Sequence, residues 1–263
     1  MVKRKILITG AGTGIGRDAA FALAQRGHHV IATTFSEEQA RALLAECKLR
    51  GQALEVFKLD ISLPDDRRLL TKLEPDVLVN NAAVGEAGSL AEVDVERIRA
   101  AFEVNVFSTI ALTQEVLRGM IARESGTVVF VSSLAGRVPM PFLMPYSMTK
   151  FALSAAGAGL RAEMDQLGKN VQITLIEPGA FQTGFNQSMV DRQFDPARSS
   201  YFSAQESNLK AKGARALQLL ERRSTKSVVA KIVRATEAKR PKLRYVAPWS
   251  QGLMVRFARM LNA

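Results

Sequence analysis

The chain has 263 residues, 47% of them hydrophobic, with a mean hydropathy of +0.02 and a formal net charge of +11. That is enough apolar material for one sizeable core. It includes no stretch long enough for a membrane span, and the lone Cys47 excludes an internal disulfide and fits a reducing cytoplasm. The charge is concentrated: residues 210–263 hold 14 Lys/Arg against 2 Asp/Glu (+12), while residues 1–209 hold 22 against 23 (−1), which argues against a nucleic-acid surface spread over the fold.

The opening MVKRKILITGAG is basic, but its apolar run is too short for a signal peptide and ends in glycines. KILIT (5–9) is a buried-strand pattern, followed by glycines and then a helical stretch, DAAFALAQRG, that stops at glycine. HVIATT (29–34) is the next strand and EEQARALLAECKLRG (37–51) the next helix. ALEVFKLD (53–60), DVLVNNAA (76–83), TVVFVSS (127–133) and VQITLIEPG (171–179) continue the strand series. Residues 95–124 and 146–169 are long enough for helices between them. Apolar strands separated by helices predict βαβ units and a parallel sheet covered on both faces. Without a repeat or linker, residues 1–263 are expected to form a single doubly wound α/β domain.

Three features carry chemistry. In the first strand-to-helix turn, TGAGTGIG (9–16), Gly10, Gly14 and Gly16 allow a sharp bend and bring backbone N–H groups close to a pyrophosphate, with a helix N-terminus behind them. YSMTK (146–150) sets Tyr146 and Lys150 one helical turn apart on one face. VSSLAG places Ser133 thirteen residues before Tyr146. A free tyrosine titrates near pH ~10, so a neighbouring ammonium that favours the phenolate would make it a usable base.

With DVLVNNAA, FEVNVF and IEPGAFQT added in order, the chain resembles the short-chain dehydrogenase/reductase family, whose single domain is Rossmann-type. The resemblance covers most of the chain, although Ala83 stands where that family usually has glycine. It implies a nicotinamide dinucleotide held by Gly10, Thr13, Gly14, Ile15, Gly16, Thr34, Phe35, Asp60, Ile61, Asn81, Ala82, Pro178, Gly179 and Thr183, together with Tyr146 and Lys150. It also implies that Tyr146 exchanges a proton with the substrate oxygen, Ser133 holds that oxygen, Lys150 tunes Tyr146 and binds ribose, and Asn105 anchors a water that relays the proton. No metal is implied. Thr34 and Phe35 replace both the acidic signature of NAD and the basic one of NADP, and Glu37 and Glu38 would repel a phosphate, so the reading is NAD or NADP with a lean to NAD.

Val138, Met140, Phe142 and Phe185 are the candidate substrate wall, with residues 183–225 as a lid. The expected reaction interconverts a hydrophobic secondary alcohol and its ketone. The alternative is a dinucleotide-binding sensor or scaffold without catalysis, which the intact Asn105, Ser133, Tyr146 and Lys150 disfavour. The family implies a homodimer or homotetramer. The ending, with KLRY and an amphipathic segment over 250–263, looks like the branch containing hydroxysteroid and retinol dehydrogenases. Three placements are open to that segment: its own enzyme's pocket as the default, a subunit contact, or an anionic membrane surface as a minority reading.

Overall fold

The computed structural model describes residues 2–194 and 199–261; residues 195–198 of the expected lid and 262–263 of the expected terminal helix lie outside them. Seven strands form one parallel sheet: β1 (Lys5–Ile8), β2 (His29–Thr34), β3 (Glu55–Lys58), β4 (Val77–Asn80), β5 (Ser125–Val131), β6 (Asn170–Pro178) and β7 (Arg244–Ala247). Their order is β3-β2-β1-β4-β5-β6-β7. The direction of winding reverses between β1 and β4, and the crevice beyond the carboxyl ends of those strands is where such a sheet binds ligands.

Alternate residues of β1 supply two separate cores. Ile6 and Ile8 pack with Ala19, Ala20 and Leu23 of α1 (Gly14–Gln25), with Leu43 of α2 (Glu37–Arg50), and with Val228 and Ile232 of α9 (Lys226–Glu237). Leu7 points the other way. It joins Leu70 of α3 (Pro64–Thr71), Leu112 and Val116 of α5 (Thr109–Ala122), and Leu153 of α6 (Met144–Leu167). Both faces are therefore dry, which is why the central strands read as unbroken apolar runs.

The helical stretch over residues 95–124 is distorted at Asn105, as the family resemblance of FEVNVF implies: α4 (Val95–Phe102) meets α5 through a π-turn over Glu103–Ser108. Within that turn the Ser108 hydroxyl donates to the Glu103 carboxylate (3.0 Å) and Thr109 Oγ1 to the Val104 carbonyl (3.1 Å). Such bulges commonly mark functional positions. Strand β7 was not foreseen, because RYVA is only four residues long and carries an arginine. It pairs in parallel with β6 and buries Tyr245 and Ala247 in the core, and the Glu177 carboxylate, fully buried on β6, holds Arg244 on one oxygen (2.5 Å) and Arg137 on the other (3.1 Å).

The remaining helices lie after β6: α7 (Phe185–Asp191), α8 (Glu206–Leu220), α9, and α10 (Trp249–Leu261), which follows β7.

Phe130 sits near the carboxyl end of β5 and is fully buried against Gly157 on α6. Replacing it with alanine should lower the unfolding free energy by about 3–5 kcal/mol, read from the midpoint of a urea titration.

Candidate active site

The chain leaves β1 through Gly10 (φ +63°), and its backbone passes so close to the end of β4 that a Cβ would lie 2.7 Å from Ala82 Cα. Thr9 and Asn81 hold this approach. Thr9 Oγ1 accepts from the Asn81 and Ala82 N–H groups (3.1 Å each), and Asn81 Nδ2 donates to the Thr9 and Gly10 carbonyls (3.0 and 2.9 Å). Asn81 is thereby a lock on the glycine turn. At α1, the N-cap Thr13 makes no side-chain cap bond and the first turn carries no acid. The contrast with α2 is direct, since Ser36 caps that helix through Gln39 N and Glu37 and Glu38 occupy its first turn. The α1 N–H groups and the positive dipole end are thus left for an outside anion.

Ser133 stands at the end of the segment after β5, with Oγ accepting from Ala135 N–H (3.1 Å) and donating to the Pro178 carbonyl (3.4 Å). Gly136 lets α6 press close: a Cβ there would lie 2.6 Å from the Lys150 backbone. Tyr146 and Lys150 are both buried on that helix. Lys150 Nζ donates to the Val131 carbonyl at 3.0 Å and lies 5.5 Å from the centre of the Tyr146 ring. Asn105 sits in the π-turn, behind the cavity wall. Its amide takes the Val84 N–H (2.8 Å) and donates to the Val84 carbonyl (2.9 Å) and Thr149 Oγ1 (3.1 Å); Thr149 in turn donates to the Tyr146 carbonyl (2.7 Å).

Burial sets the titration of the pair. It pushes the Tyr146 phenol well above its ordinary value, and the Ser133 hydroxyl pulls it only part of the way back. Burial also pushes the Lys150 ammonium down to about 8. The expected lowering of Tyr146 by Lys150 is not what dominates here, because the ammonium faces the ring and the Val131 carbonyl, and loss of water outweighs it.

These groups open on one cavity of about 830 Å³. Of the expected residues, Gly10, Thr13, Gly14, Ile15, Gly16, Phe35, Asp60, Ile61, Asn81, Ala82, Ser133, Tyr146, Lys150, Pro178, Gly179, Thr183, Met140 and Phe185 line it. Thr34 does not, being fully buried with its hydroxyl donating to the Ser36 carbonyl. Val138 is buried elsewhere, and Phe142 packs against Phe194 and Phe202 beneath the lid, at ring-centre distances of 5.9 and 5.1 Å.

Sequence reasoning did not single out Gln39, Leu217, Leu220, Gln251 and Val255, all of which line the cavity; Met254, on the apolar face of the terminal segment expected to dock on the pocket, lines it too. The i, i+3 pair Leu217 and Leu220 was a usable signal. Gln251 had none, because it acts across the fold: Oε1 accepts from Ala180 N–H (2.9 Å) and Nε2 donates to the Leu220 carbonyl (2.6 Å). Met254 and Val255 place α10 on its own chain's pocket.

A family model described as short chain dehydrogenase matches residues 4–193, most of the chain. The chain belongs to the short-chain dehydrogenase family. A chicken dehydrogenase/reductase SDR family member 11 is 30% identical over 76% of this chain and 83% of its own. A rat 17-beta-hydroxysteroid dehydrogenase 13 is 31% identical over 70% of this chain. The match spans 63% of that rat protein and 60% of a mouse SDR family member 7B. Two solved structures share the fold. One is a short-chain dehydrogenase/reductase from Burkholderia phymatum in complex with NAD, with TM-score 0.82, 21% identity, and 97% of this chain and 92% of that one covered. The other is a short-chain dehydrogenase from Sphingobium yanoikuyae in complex with NADPH, with TM-score 0.71, 20% identity, and 98% and 96% covered.

The glycine cradle of this short-chain dehydrogenase fits a dinucleotide. Side chains at Gly10, Gly14 or Gly16 would fill it: a Cβ on Gly14 (φ +57°) would lie 3.2 Å from Thr183, and one on Gly16 2.3 Å from Asn81 Nδ2. Among the described residues no cluster of three or more metal-ligating side chains occurs.

A lysine held near 8 rather than 10.5 costs the folded state most below pH 8, and that cost is relieved as pH rises towards 10.5. The stability of the wild type relative to Lys150→Met, measured by urea unfolding of the protein alone, should therefore rise between about pH 7.5 and about pH 10. A flat difference would mean that Lys150 titrates ordinarily.

Proposed function

We propose that the chain is an NAD-dependent oxidoreductase interconverting a hydrophobic secondary alcohol and its ketone. The observation that carries this reading is the convergence of Ser133, Tyr146 and Lys150 on a cavity with two ends. One end is the glycine cradle; the other is apolar, with Met140, Leu143, Phe185, Met189, Leu217 and Leu220. The dinucleotide supplies or accepts the hydride. Everything else falls to the chain.

In the reducing direction the buried, protonated Tyr146 donates to the oxygen that gains charge, and the Ser133 hydroxyl steadies that oxygen. In the oxidising direction Tyr146 must give up its proton first, and the charged Lys150 beside its ring stabilises the phenolate left behind. The chain of bonds from Asn105 through Thr149 to the Tyr146 carbonyl makes Asn105 a positioning residue in this scheme. Phe185, edge-on to Tyr146 with ring centres 5.6 Å apart, shields the reacting oxygen from water.

The preference for NAD rests on the cavity's charges. Lys150 is the one cation among its described lining residues, and it lies at the reacting end. At the ribose end stand Phe35 and Gln39, with the exposed Glu37 and Glu38 nearby and no basic group to hold a 2′-phosphate. Fluorescence titration should show NADH binding at least about tenfold tighter than NADPH. Comparable affinities would remove the preference.

Tyr146→Phe should reduce turnover of apolar secondary alcohols by about a thousandfold or more while leaving NADH affinity within about threefold. Ser133→Ala should cost roughly a hundredfold. Tight NADH binding with no turnover of any alcohol or ketone by the wild type would favour the sensor reading.

A further inference from the structure

Helix α10 covers the cavity with one side and leaves the other uncovered. Gln251 and Val255 face the cavity, and Gly252 sits on Val246 of β7, where a Cβ would lie 2.4 Å from the valine side chain. At about 100° per residue, Trp249, Leu253, Met254, Phe257, Met260 and Leu261 fall on one arc about 140° wide. Each of the six is 43% exposed or more. Arg256 borders this arc at about 20° from its Trp249 edge and Arg259 lies about 80° beyond that edge, both exposed. Among the described residues, neither has a carboxylate within ion-pair distance.

We propose that this face docks on an anionic phospholipid bilayer, with α10 lying along the membrane plane. Three observations choose that occupant over a second copy of the chain. First, residues 238–263 contain no Asp or Glu, whereas Arg256 edges the apolar arc and Arg259 lies farther round on the same side. A two-fold contact through this face would bring the same cations together with no acid to offset them, while anionic headgroups complement them. Second, the apolar side chains include a tryptophan at the helix start, which suits the headgroup level, and long residues that suit the acyl boundary. Third, Met254 belongs both to the exposed arc and to the cavity wall, so the docking face continues into the cavity. Leu219, exposed on α8, lies close by: its neighbour Leu220 accepts from Gln251.

The docking does not rest on the catalytic reading. Where both hold, an apolar substrate dissolved in the bilayer passes from the acyl region into the cavity without crossing water.

Trp249 is the one tryptophan of the chain, so its emission reports directly on α10. The experiment mixes the purified full-length protein with phosphatidylcholine vesicles and with vesicles containing about 30% phosphatidylserine. It reads Trp249 emission and sedimentation, with no substrate present. The expected result is a blue shift and co-sedimentation at least about tenfold stronger on the anionic vesicles. The double variant Leu253→Asp/Phe257→Asp alters no cavity-lining residue. It should lose about tenfold or more of this binding while keeping the wild-type thermal midpoint and NADH affinity. Arg256→Gln/Arg259→Gln should lose the preference for phosphatidylserine.

An unshifted wild-type emission with no co-sedimentation overturns the proposal, as does equal binding by the aspartate variant. A wild-type dimer in light scattering that the aspartate variant dissociates would assign the face to a second copy. Should that variant unfold, the wild-type emission and the arginine variant still decide. Failure of the catalytic reading would appear separately, as lost turnover with vesicle binding intact.

Discussion

Where β1 ends, the backbone at Gly10 and the backbone at Ala82 come so close that no side chain fits between them. The rest of the site depends on that approach. It turns the chain into α1 with its N–H groups facing the crevice, and it brings Asn81 within reach of two carbonyls of the turn. The positive left-handed φ at Gly10 and Gly14 is one that L side chains rarely adopt, so the turn is held both by conformation and by space. The contact sits where the sheet changes its direction of winding. There the loops after β1 and β4 diverge to opposite faces, which leaves the crevice between them open.

A second close approach arranges the reacting end. Gly136 admits the backbone of α6 at Lys150, and Tyr146 packs with Ala87, Ala135 and Met189, so both side chains are out of water. Burial then acts in opposite directions on the two groups: the phenol keeps its proton and the ammonium holds its own less tightly. The pair thus sits together in a pocket end from which solvent is excluded. Lys150 remains satisfied by the Val131 carbonyl, without which a buried ammonium would be untenable. The Asn105 amide braces α6 from behind, through Thr149. Asn105 makes these bonds to Val84 and Thr149 from inside the π-turn.

The apolar end of the cavity is assembled from pieces distant in sequence, with Met189 of α7, Leu220 of α8 and Met254 of α10 all lining it. Gln251 ties two of these together by bonding Ala180 and Leu220 at once, and Gly179 leaves the room for it. The basic end of the chain, which in composition looked like a separate question, thus closes the pocket on one side. On the other it offers an uncovered apolar face.

By itself the sequence determined the strand and helix alternation through β6, the glycine turn, and the Ser133, Tyr146 and Lys150 set. Each of these is carried by local pattern: apolar runs for strands buried on both faces, glycines where backbone meets backbone, and a spacing of four for one helix face. Tertiary structure decided what local pattern cannot encode. RYVA becomes a strand through its ladder to β6 and the burial of Tyr245 and Ala247, and Gln251 enters the site only because α10 folds back over Gly179. Phe142 leaves the pocket because Phe194 and Phe202 take it under the lid, and Thr34 is closed off beneath β2's end. The titration of Tyr146 and Lys150 belongs to the same class. It is set by how completely water is excluded, and that depends on every element packed around the pair.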